Sequence, residues 1–314
     1  MHTIYLVVPC YNEEEVLPDS NEKLLQKLRT LIHSETISPD SRVVYVDDGS
    51  KDKTWSLISD YHRADPLVQG IKLSRNKGHQ NALLAGLMTV RDHCDAAISL
   101  DADLQDDINA IDGMVEKFAS GCDIVCGVRN DRETDTGFKR GTAGGFYKLM
   151  TTLGVEMIPN HADFRLMSRR ALEALSEFRE VNLFLRGMVP MIGYKTDVVY
   201  YARKERTAGE SKYPLKKMIA FALEGITSLS VKPIRMITFL GIGIFAVSIC
   251  MLIYFLIRHF TGHTILGWTS LAVSVWAIGG LQILAIGIIG EYIGKIYLET
   301  KARPKYFVET YLDS

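Results

Sequence analysis

The chain has 314 residues, of which 47% are hydrophobic, and its formal net charge is −1. This length is sufficient for a sizeable soluble core and a second unit, while the near-neutral charge gives no reason to expect a nucleic-acid partner. The five cysteines form no CxxC pair and no zinc-ligand spacing, which argues against a disulfide framework and favours a reduced, cytosolic compartment.

Residues 1–130 alternate short apolar runs with amphipathic stretches. The apolar runs predict strands at residues 3–9, 42–47, 69–73, 96–101 and 122–128. The amphipathic stretches between them predict helices at residues 13–33, 53–62, 79–93 and 108–119. Strands and helices that alternate at this pitch predict an α/β fold with a mostly parallel, doubly wound sheet.

Polar loops follow each of the first four predicted strands, at residues 9–13, 47–52, 76–81 and 101–106. Ligands of doubly wound sheets bind beyond the carboxyl ends of the strands. We therefore expect these four loops to meet along one edge of the sheet, here called the rim.

The fourth of these loops is acidic. The stretch SLDADLQD, residues 99–106, brings three carboxylates and an amide together. Two carboxylates about 4 Å apart repel each other by roughly 1 to 4 kcal/mol at effective dielectric constants between those of water and a protein surface. A bound cation would remove this repulsion. A solvated acidic turn is the alternative interpretation.

Two segments near the C-terminus, residues 236–257 and 269–290, contain no charged residue. Each is long enough to cross the hydrocarbon core of a bilayer, which takes about 20 residues in a helix. They predict a two-helix transmembrane hairpin, with a pair of buried helices as the alternative. Before them, residues 211–235 combine basic side chains with apolar positions at helical spacing. This pattern predicts an amphipathic juxtamembrane helix on the membrane surface, or alternatively an ordinary surface helix.

The distribution of charge predicts the topology of these segments. Basic residues flank the two spans, whereas the loop between them carries only Arg258, so we expect both chain ends to be cytoplasmic. The first fifteen residues contain a short apolar run with no basic leader, so we expect no signal peptide. We therefore expect a protein of the plasma membrane with four regions: a cytoplasmic domain at residues 1–210, a juxtamembrane region at 211–235, the membrane hairpin at 236–290 and a cytoplasmic tail at 291–314.

Three stretches occur in the order VVPCYNEEEVL, VVYVDDGSKDKT and LDADLQDD. Their order and spacing resemble the family 2 glycosyltransferases, which have the GT-A fold. The stretch RTAGESKY and the expected hairpin extend the resemblance over nearly the whole chain. They make it similar to the polyprenyl-phosphate glycosyltransferases, in particular the bactoprenol glucosyltransferase branch, which is related to dolichol-phosphate mannose synthase.

This resemblance implies a reaction. One sugar would pass from a nucleotide sugar, UDP-glucose or UDP-N-acetylglucosamine, to a polyprenyl phosphate such as undecaprenyl phosphate. The transfer would depend on a metal ion and invert the anomeric carbon. Its product would be a lipid-phosphate-linked sugar for cell-envelope glycosylation.

The resemblance also implies roles for residues around the donor. Mg²⁺ or Mn²⁺ would bind Asp103, which is also implied to be catalytic, with Gln105 nearby; hard oxygen ligands suit both ions. The nucleotide sugar would contact nine residues: Pro9, Tyr11, Asn12, Glu13, Asp48, Lys77, Gly78, Asp101 and Ala102. For Lys77, a side chain that faces solvent is the alternative.

On the acceptor side, the resemblance implies Asp163 as a catalytic base or positioning group and Arg165 as a phosphate ligand. An ion pair between these two residues within a strand is the alternative. Arg203, Arg206 and Lys212 would bind the lipid phosphate, with Arg206 also catalytic, because arginine forks match phosphate geometry. Attraction to the membrane surface alone is the alternative for this basic stretch.

Two other functions are compatible with the first half of the chain. A processive polysaccharide synthase would carry a Gln-x-x-Arg-Trp element for its acceptor, and none occurs around the three tryptophans of this chain. A membrane-anchored nucleotide-binding scaffold would need neither the acidic cluster nor the basic stretch. The identity of the sugar, a homo-oligomeric state and a downstream lipid-sugar flippase stay open at this point.

Overall fold

The computed structural model describes residues 1–130, 161–181, 183–202, 232–260 and 268–313. Three predicted acceptor residues, Arg203, Arg206 and Lys212, lie outside the described residues, as do residues 211–231 of the predicted juxtamembrane region. The described residues belong to two compact units. The first unit contains an eight-stranded sheet with its helices, and the second contains two long helices.

The strands of the sheet are β1 (Ile4–Cys10), β2 (Arg42–Asp47), β3 (Val68–Leu73), β4 (Ala96–Ser99), β5 (Ile124–Arg129), β6 (His161–Ser168), β7 (Thr196–Tyr201) and β8 (Val308–Leu312). The described helices of the same unit are α1 (Leu17–His33), α2 (Thr54–Ala64), α3 (His79–Val90), α4 (Ala110–Ala119), α5 (Arg169–Ser176) and α6 (Leu185–Met191). All strands and helices predicted for residues 1–130 are present, and their ends differ from the prediction by at most four residues.

The strands lie in the order β7-β5-β6-β4-β1-β2-β3-β8. Parallel pairing joins β1 to β2 and β4, β2 to β3, and β5 to β7. β6 is antiparallel to both β4 and β5, and β8 is antiparallel to β3. Six strands therefore run in one direction, as predicted, but the sheet is mixed because β6 separates β4 from β5. Since β6 runs the opposite way, its first residues lie at the rim.

Helices cover both faces of the sheet, which explains the continuous apolar runs of its central strands. All seven residues of β1 are buried, as expected for a strand packed on both faces. Helices α1, α2 and α4 pack on one face, and α3, α5 and α6 on the other. At Gly86 of α3, a Cβ atom would lie 2.5 Å from Val7 Cγ1 and 2.6 Å from Val46 Cγ2. This close approach packs α3 directly against β1 and β2.

The C-terminal residues, predicted as a tail, return to the sheet. In the pairing of β8 with β3, Gly70 lies opposite Leu312 and Lys72 opposite Thr310. The N–H of Ser74 also donates to the carbonyl of Phe307 (3.0 Å). The five residues of β8, VETYL, are half-buried or exposed. A strand with so little burial needs no run of apolar residues, and the sequence pattern therefore did not predict it.

The second unit contains α7 (Lys232–Phe260) and α8 (Trp268–Lys301). Both predicted spans are therefore helical, and α8 continues past the predicted end of its span. Among the described residues, one helical stretch, Ile278–Lys301, is long and apolar enough to cross a membrane, with 24 residues and a mean hydropathy of 1.4. Ile234–Ile244 is a shorter apolar helix. The two-helix transmembrane hairpin stays a prediction.

Candidate active site

Asp48 ties the loop after β2 to the loop after β3. Its buried carboxylate accepts the backbone N–H of Lys77 (2.7 Å) and of Gly78 (2.8 Å). Gly49 permits this approach, because its φ is +68° and a Cβ atom there would lie 2.7 Å from the backbone of Arg75. Three predicted donor residues are thus adjacent, and Asp48 holds the backbone that leads into α3.

The loop after β1 is bound to the loop after β2. The N–H of Asn12 donates to Ser50 Oγ (3.0 Å), and Asn12 Oδ1 accepts the N–H of Lys51 (2.9 Å). The N–H of Glu13 donates to Thr54 Oγ1 (2.9 Å). A cavity of about 520 Å³ lies between these loops and is lined by Asn12, Glu13, Glu14, Glu15, Val16, Lys51 and Asp52.

The predicted donor residues of the first loop differ in their access to this cavity. Asn12 and Glu13 line it. Tyr11, their neighbour in the chain, is 41% exposed, so its ring is accessible to a ligand. Pro9 is instead buried in β1, where it is paired with Val46. Pro9 therefore shapes the end of the strand from within the sheet.

The acidic loop begins earlier than predicted, because β4 ends two residues before the predicted end. Asp101 is therefore a loop residue. The buried Ala102 is anchored through its carbonyl, which accepts Ser20 Oγ (2.6 Å). The carboxylate of Asp103 accepts bonds from the N–H and from Nε2 of Gln105. This contact of the Gln105 amide orients the Asp103 carboxylate.

The third carboxylate of the acidic loop, Asp106, is bound by an arginine. It is buried, and its Oδ1 accepts Nε (3.2 Å) and Nη2 (3.0 Å) of Arg129 at the end of β5. Burial and the neighbouring Asp106 raise the pKa of Tyr201 at the end of β7. Asp106 is thus an ion-pair partner that joins the acidic loop to β5.

Asp163, near the start of β6, is the centre of a charge network at the rim. Its Oδ1 accepts Nη2 of Arg165 (2.5 Å) and Nε of Arg186 (3.2 Å), while its Oδ2 accepts Nη2 of Arg186 (3.0 Å). His79 Nε2 lies 3.7 Å from Asp163 Oδ2 and 3.6 Å from Asp101 Oδ1. The first residues of α3 and α6, the acidic loop and β6 therefore meet at this carboxylate.

These contacts determine which groups are charged. Burial alone would raise the pKa of Asp163, but the nearby His79 and the charges of Arg165 and Arg186 hold it well below its usual range. Burial lowers the pKa of His79, yet Asp163 and Asp101 outweigh burial and raise it. Asp163 is consequently ionised and is a weak proton acceptor, which favours positioning over base catalysis for this residue.

Arg165 does not lie where a phosphate ligand was expected. Its side chain is 2% exposed, and Nη1 donates to the carbonyl of Leu185 (3.2 Å) while Nη2 binds Asp163. Residues two apart in a strand point to the same face, and here that face is directed into the protein. The structure therefore contains the ion pair that was the alternative interpretation, and Arg165 supports Asp163 from inside.

Three residues of the site were not predicted: His79, Arg129 and Arg186. Arg186 is the only charged residue in the stretch LFLRGMVPMIG, residues 183–193. A lone arginine within an apolar stretch needs a carboxylate partner when it is packed against the protein, and this signal was available in the sequence. His79 follows Gly78 directly within a loop that was already predicted to face the rim.

The acidic loop suits a divalent cation that has further ligands from a substrate. Among the described residues, no group of three or more His, Cys, Asp or Glu side chains is arranged to hold a metal ion alone. Asp101 and Asp103 offer carboxylate oxygens, and Mg²⁺ commonly binds one or two carboxylates plus substrate phosphates. Burial and the neighbouring carboxylates outweigh the charge of His79 and raise the pKa of Asp101, so a bound cation would stabilise its ionised form. These residues fit such an ion.

Known proteins match this chain over nearly all of its length. Residues 5–176 match glycosyl transferase family 2. The chain is 54% identical over 304 residues to the uncharacterized glycosyltransferase YkoT of Bacillus subtilis, covering 97% of this chain and 90% of YkoT. It is 42% identical over 312 residues to the bactoprenol glucosyl transferase of Shigella phage SfX, covering 98% of this chain and 99% of the relative.

A third relative is the prophage bactoprenol glucosyl transferase homolog of Escherichia coli K12, which is 41% identical over 310 residues and is covered to 98% in both chains. The resemblance indicated by the three sequence stretches is confirmed, and the mixed α/β sheet is GT-A-like. This chain belongs to glycosyl transferase family 2 and is a glycosyltransferase.

Proposed function

We propose that this glycosyltransferase transfers one sugar from a nucleotide sugar to a polyprenyl phosphate, with inversion and with Mg²⁺ or Mn²⁺ bound. The observation that carries the proposal is the fixation of Asp163 by two arginines. With its pKa well below the usual range, this carboxylate is a poor base for a sugar hydroxyl. A phosphate oxygen is already an anion near neutral pH, so a phosphate acceptor needs no base.

The relatives support the same class of acceptor. Two of them are named for glucosyl transfer to bactoprenol, and they match this chain over 98% of its length. The match therefore includes the residues of α7 and α8. We infer glucose as the first sugar to test, with UDP-glucose as the donor and UDP-N-acetylglucosamine as the second candidate.

The donor would occupy the rim. Its nucleoside would enter the cavity lined by Asn12 and Glu13, within reach of Tyr11, and its diphosphate would lie at Asp101 and Asp103. The first turn of α3 favours an anion there because the N-terminus of a helix carries partial positive charge. The bound cation would supply positive charge to the departing diphosphate.

The transfer itself is an in-line displacement. An oxygen of the lipid phosphate forms a bond with the anomeric carbon, the bond between that carbon and the donor diphosphate breaks, and the nucleoside diphosphate leaves. No proton is transferred, so the protein contributes orientation and electrostatics. We assign the lipid phosphate to Arg203, Arg206 and Lys212, with Arg206 in contact with the reacting oxygen.

The position of β8 supports an even number of membrane crossings. β8 follows α8 in the chain and is paired with β3 in the same sheet as β1. A single crossing at Ile278–Lys301 would separate β8 from β3 by a bilayer. Two crossings, at residues 236–257 and 269–290, leave both chain ends on the cytoplasmic side. The lipid-linked product would then form on that side, where a flippase would act next, and the helices could also pair subunits of a homo-oligomer.

The experiment is sugar transfer to undecaprenyl phosphate by the purified full-length chain. Labelled UDP-glucose, UDP-N-acetylglucosamine, UDP-galactose and GDP-mannose are each supplied with Mg²⁺, with Mn²⁺ or with a chelator. Asp103→Asn is the test variant, and Asp92→Asn, which changes an exposed carboxylate bound to Arg91, is the matched control.

We expect a lipid carrying a single sugar that requires the metal ion, is lost in Asp103→Asn and is retained in Asp92→Asn. A long polymer would instead identify a processive synthase. Nucleotide binding without any product from the four donors would contradict the proposed reaction and favour a scaffold.

A further inference from the structure

Two arginines bind the Asp163 carboxylate, and they differ in what they leave exposed. Arg165 reaches it from within β6 and is 2% exposed, whereas Arg186 reaches it from the first turn of α6 and is 31% exposed. Arg165 alone would neutralise Asp163. The second arginine is therefore not required to neutralise Asp163 itself, and the charge of the nearby Asp101 also acts on it.

The contacts of the Arg186 guanidinium with Asp163 use one of its edges. Nε and Nη2 bind the two oxygens of Asp163 as a fork, at 3.2 Å and 3.0 Å. Within the part of the chain that the structure describes, Nη1 has no hydrogen-bond acceptor. Because the guanidinium is planar, fixing one edge also fixes the direction of the remaining N–H groups. A ligand at Nη1 would meet donors that are already oriented, which reduces the entropy lost on binding.

The surroundings of Arg186 are those of the donor loop. The charge of Asp101 acts on Arg186, as does that of Arg129 at the end of β5. His79 bridges Asp101 and Asp163 on the same side of the network. Arg186 is therefore close to the acidic loop, in a cluster where the carboxylates of Asp163 and Asp101 are near the guanidinium groups of Arg165 and Arg186.

We propose that Arg186 is a substrate-binding residue whose Nη1 edge binds a phosphate oxygen, and that Asp163 is the residue that positions it. This inference rests on the proposed function and deepens it by adding a phosphate contact to the site. The oxygen belongs either to the diphosphate of the donor or to the lipid phosphate of the acceptor, because both present the same anionic oxygens to a guanidinium.

The test compares Arg186→Gln and Arg186→Lys with a matched control in the full-length protein. Gln removes the charge and the fork, and Lys keeps the charge but cannot form the fork. The control is Arg170→Gln, because Arg170 binds Asp123 through the same two nitrogens but is 63% exposed and lies away from the rim. Thermal melting of each variant establishes that the fold is retained.

The measured quantities are the KM for the nucleotide sugar, the KM for undecaprenyl phosphate and the Kd for UDP. Loss of a charge-assisted hydrogen bond to phosphate predicts an increase of about tenfold or more in one KM for Arg186→Gln, a smaller increase for Arg186→Lys and none for the control. If the donor KM and the UDP Kd rise together, the contact is to the donor diphosphate. If only the acceptor KM rises, the contact is to the lipid phosphate.

The inference is overturned if both KM values and the UDP Kd of folded Arg186→Gln stay within about twofold of wild type, even if kcat falls. Its failure is distinguishable from failure of the proposed function. If wild-type protein transfers no sugar to undecaprenyl phosphate, the proposed function fails. The role of Arg186 is then tested by the binding of UDP and of inorganic pyrophosphate to wild type and to Arg186→Gln. Weaker binding of either ligand in Arg186→Gln supports the phosphate contact, and unchanged binding of both contradicts it.

Discussion

Asp48→Asn should loosen the backbone that leads into α3. The wild-type carboxylate accepts two backbone N–H groups, from Lys77 at 2.7 Å and Gly78 at 2.8 Å. Asparagine keeps one acceptor oxygen but places an NH₂ group where the second oxygen was, so one N–H faces another donor. Because Asp48 is only 2% exposed, water cannot readily replace the lost acceptor.

The magnitude follows from these two bonds. A hydrogen bond to a charged group stabilises a protein by about 1.5–3 kcal/mol. Burial raises the pKa of Asp48, and the N–H groups of Lys77 and Gly78 oppose that rise, so part of the benefit offsets the desolvation of the carboxylate. We therefore expect Asp48→Asn to lower the free energy of unfolding by about 1–3 kcal/mol.

Hydrogen exchange and urea unfolding of the detergent-solubilised full-length protein measure this effect. The amides of Lys77 and Gly78 should exchange faster in Asp48→Asn, and the KM for the nucleotide sugar should rise because the first turn of α3 is less ordered. Asp92→Asn is again the control. Unchanged exchange at both amides, together with an unchanged free energy of unfolding, would refute the role assigned to Asp48.

The remaining predictions concern a charge, a packing contact and a strand. The raised pKa of His79 means that its protonation stabilises the fold fully below its unfolded pKa of about 6.5, and that this contribution is lost as pH rises through the folded pKa. We measure the free energy of unfolding against pH in the presence of a chelator. The fall above about pH 6.5 should be smaller in His79→Gln than in wild type, whereas the control His33→Gln, at the exposed end of α1, should behave as wild type. Parallel curves for wild type and His79→Gln would contradict the pairing of His79 with the carboxylates. Gly86→Ala should lower the unfolding free energy by about 1–3 kcal/mol through overpacking, whereas Gly113→Ala, whose Cβ would meet Val199 at an ordinary 3.4 Å, should not; equal urea midpoints would exclude the close approach of α3. Deleting residues 302–314 removes β8 and uncovers the edge of β3, so limited proteolysis and light scattering should detect faster cleavage and association; a fully resistant, monodisperse product would show that β8 is dispensable.

The first half of the fold was predictable because it depends on local patterns. The buried run IYLVVPC predicts β1, and helical spacing of the leucines predicts α1. The rule that parallel strands place their carboxyl ends together then correctly brought the loops after β2, β3 and β4 to one edge. None of these inferences required contacts between residues distant in the chain.

The insertion of β6 and the addition of β8 were not predictable in the same way. β6 follows β5 in the chain but lies between β5 and β4 in the sheet, and β8 pairs with a strand more than two hundred residues earlier. Strand order depends on the packing of whole elements rather than on the periodicity of one segment. For this reason the sequence predicted Asp163 as a site residue, with Arg165 as its alternative ion-pair partner, but not its contacts with Arg186 and His79.

The sequence by itself determined the family, the alternation of strands and helices, and the acidic loop, because each is written in contiguous residues or in local periodicity. Only the tertiary structure decided how far each arginine beside Asp163 is exposed. Arg165 and Arg186 are both near Asp163, yet β6 directs the first inward and α6 presents the second at the rim. The physical reason is that burial and charge pairing depend on the surfaces that meet when distant segments pack.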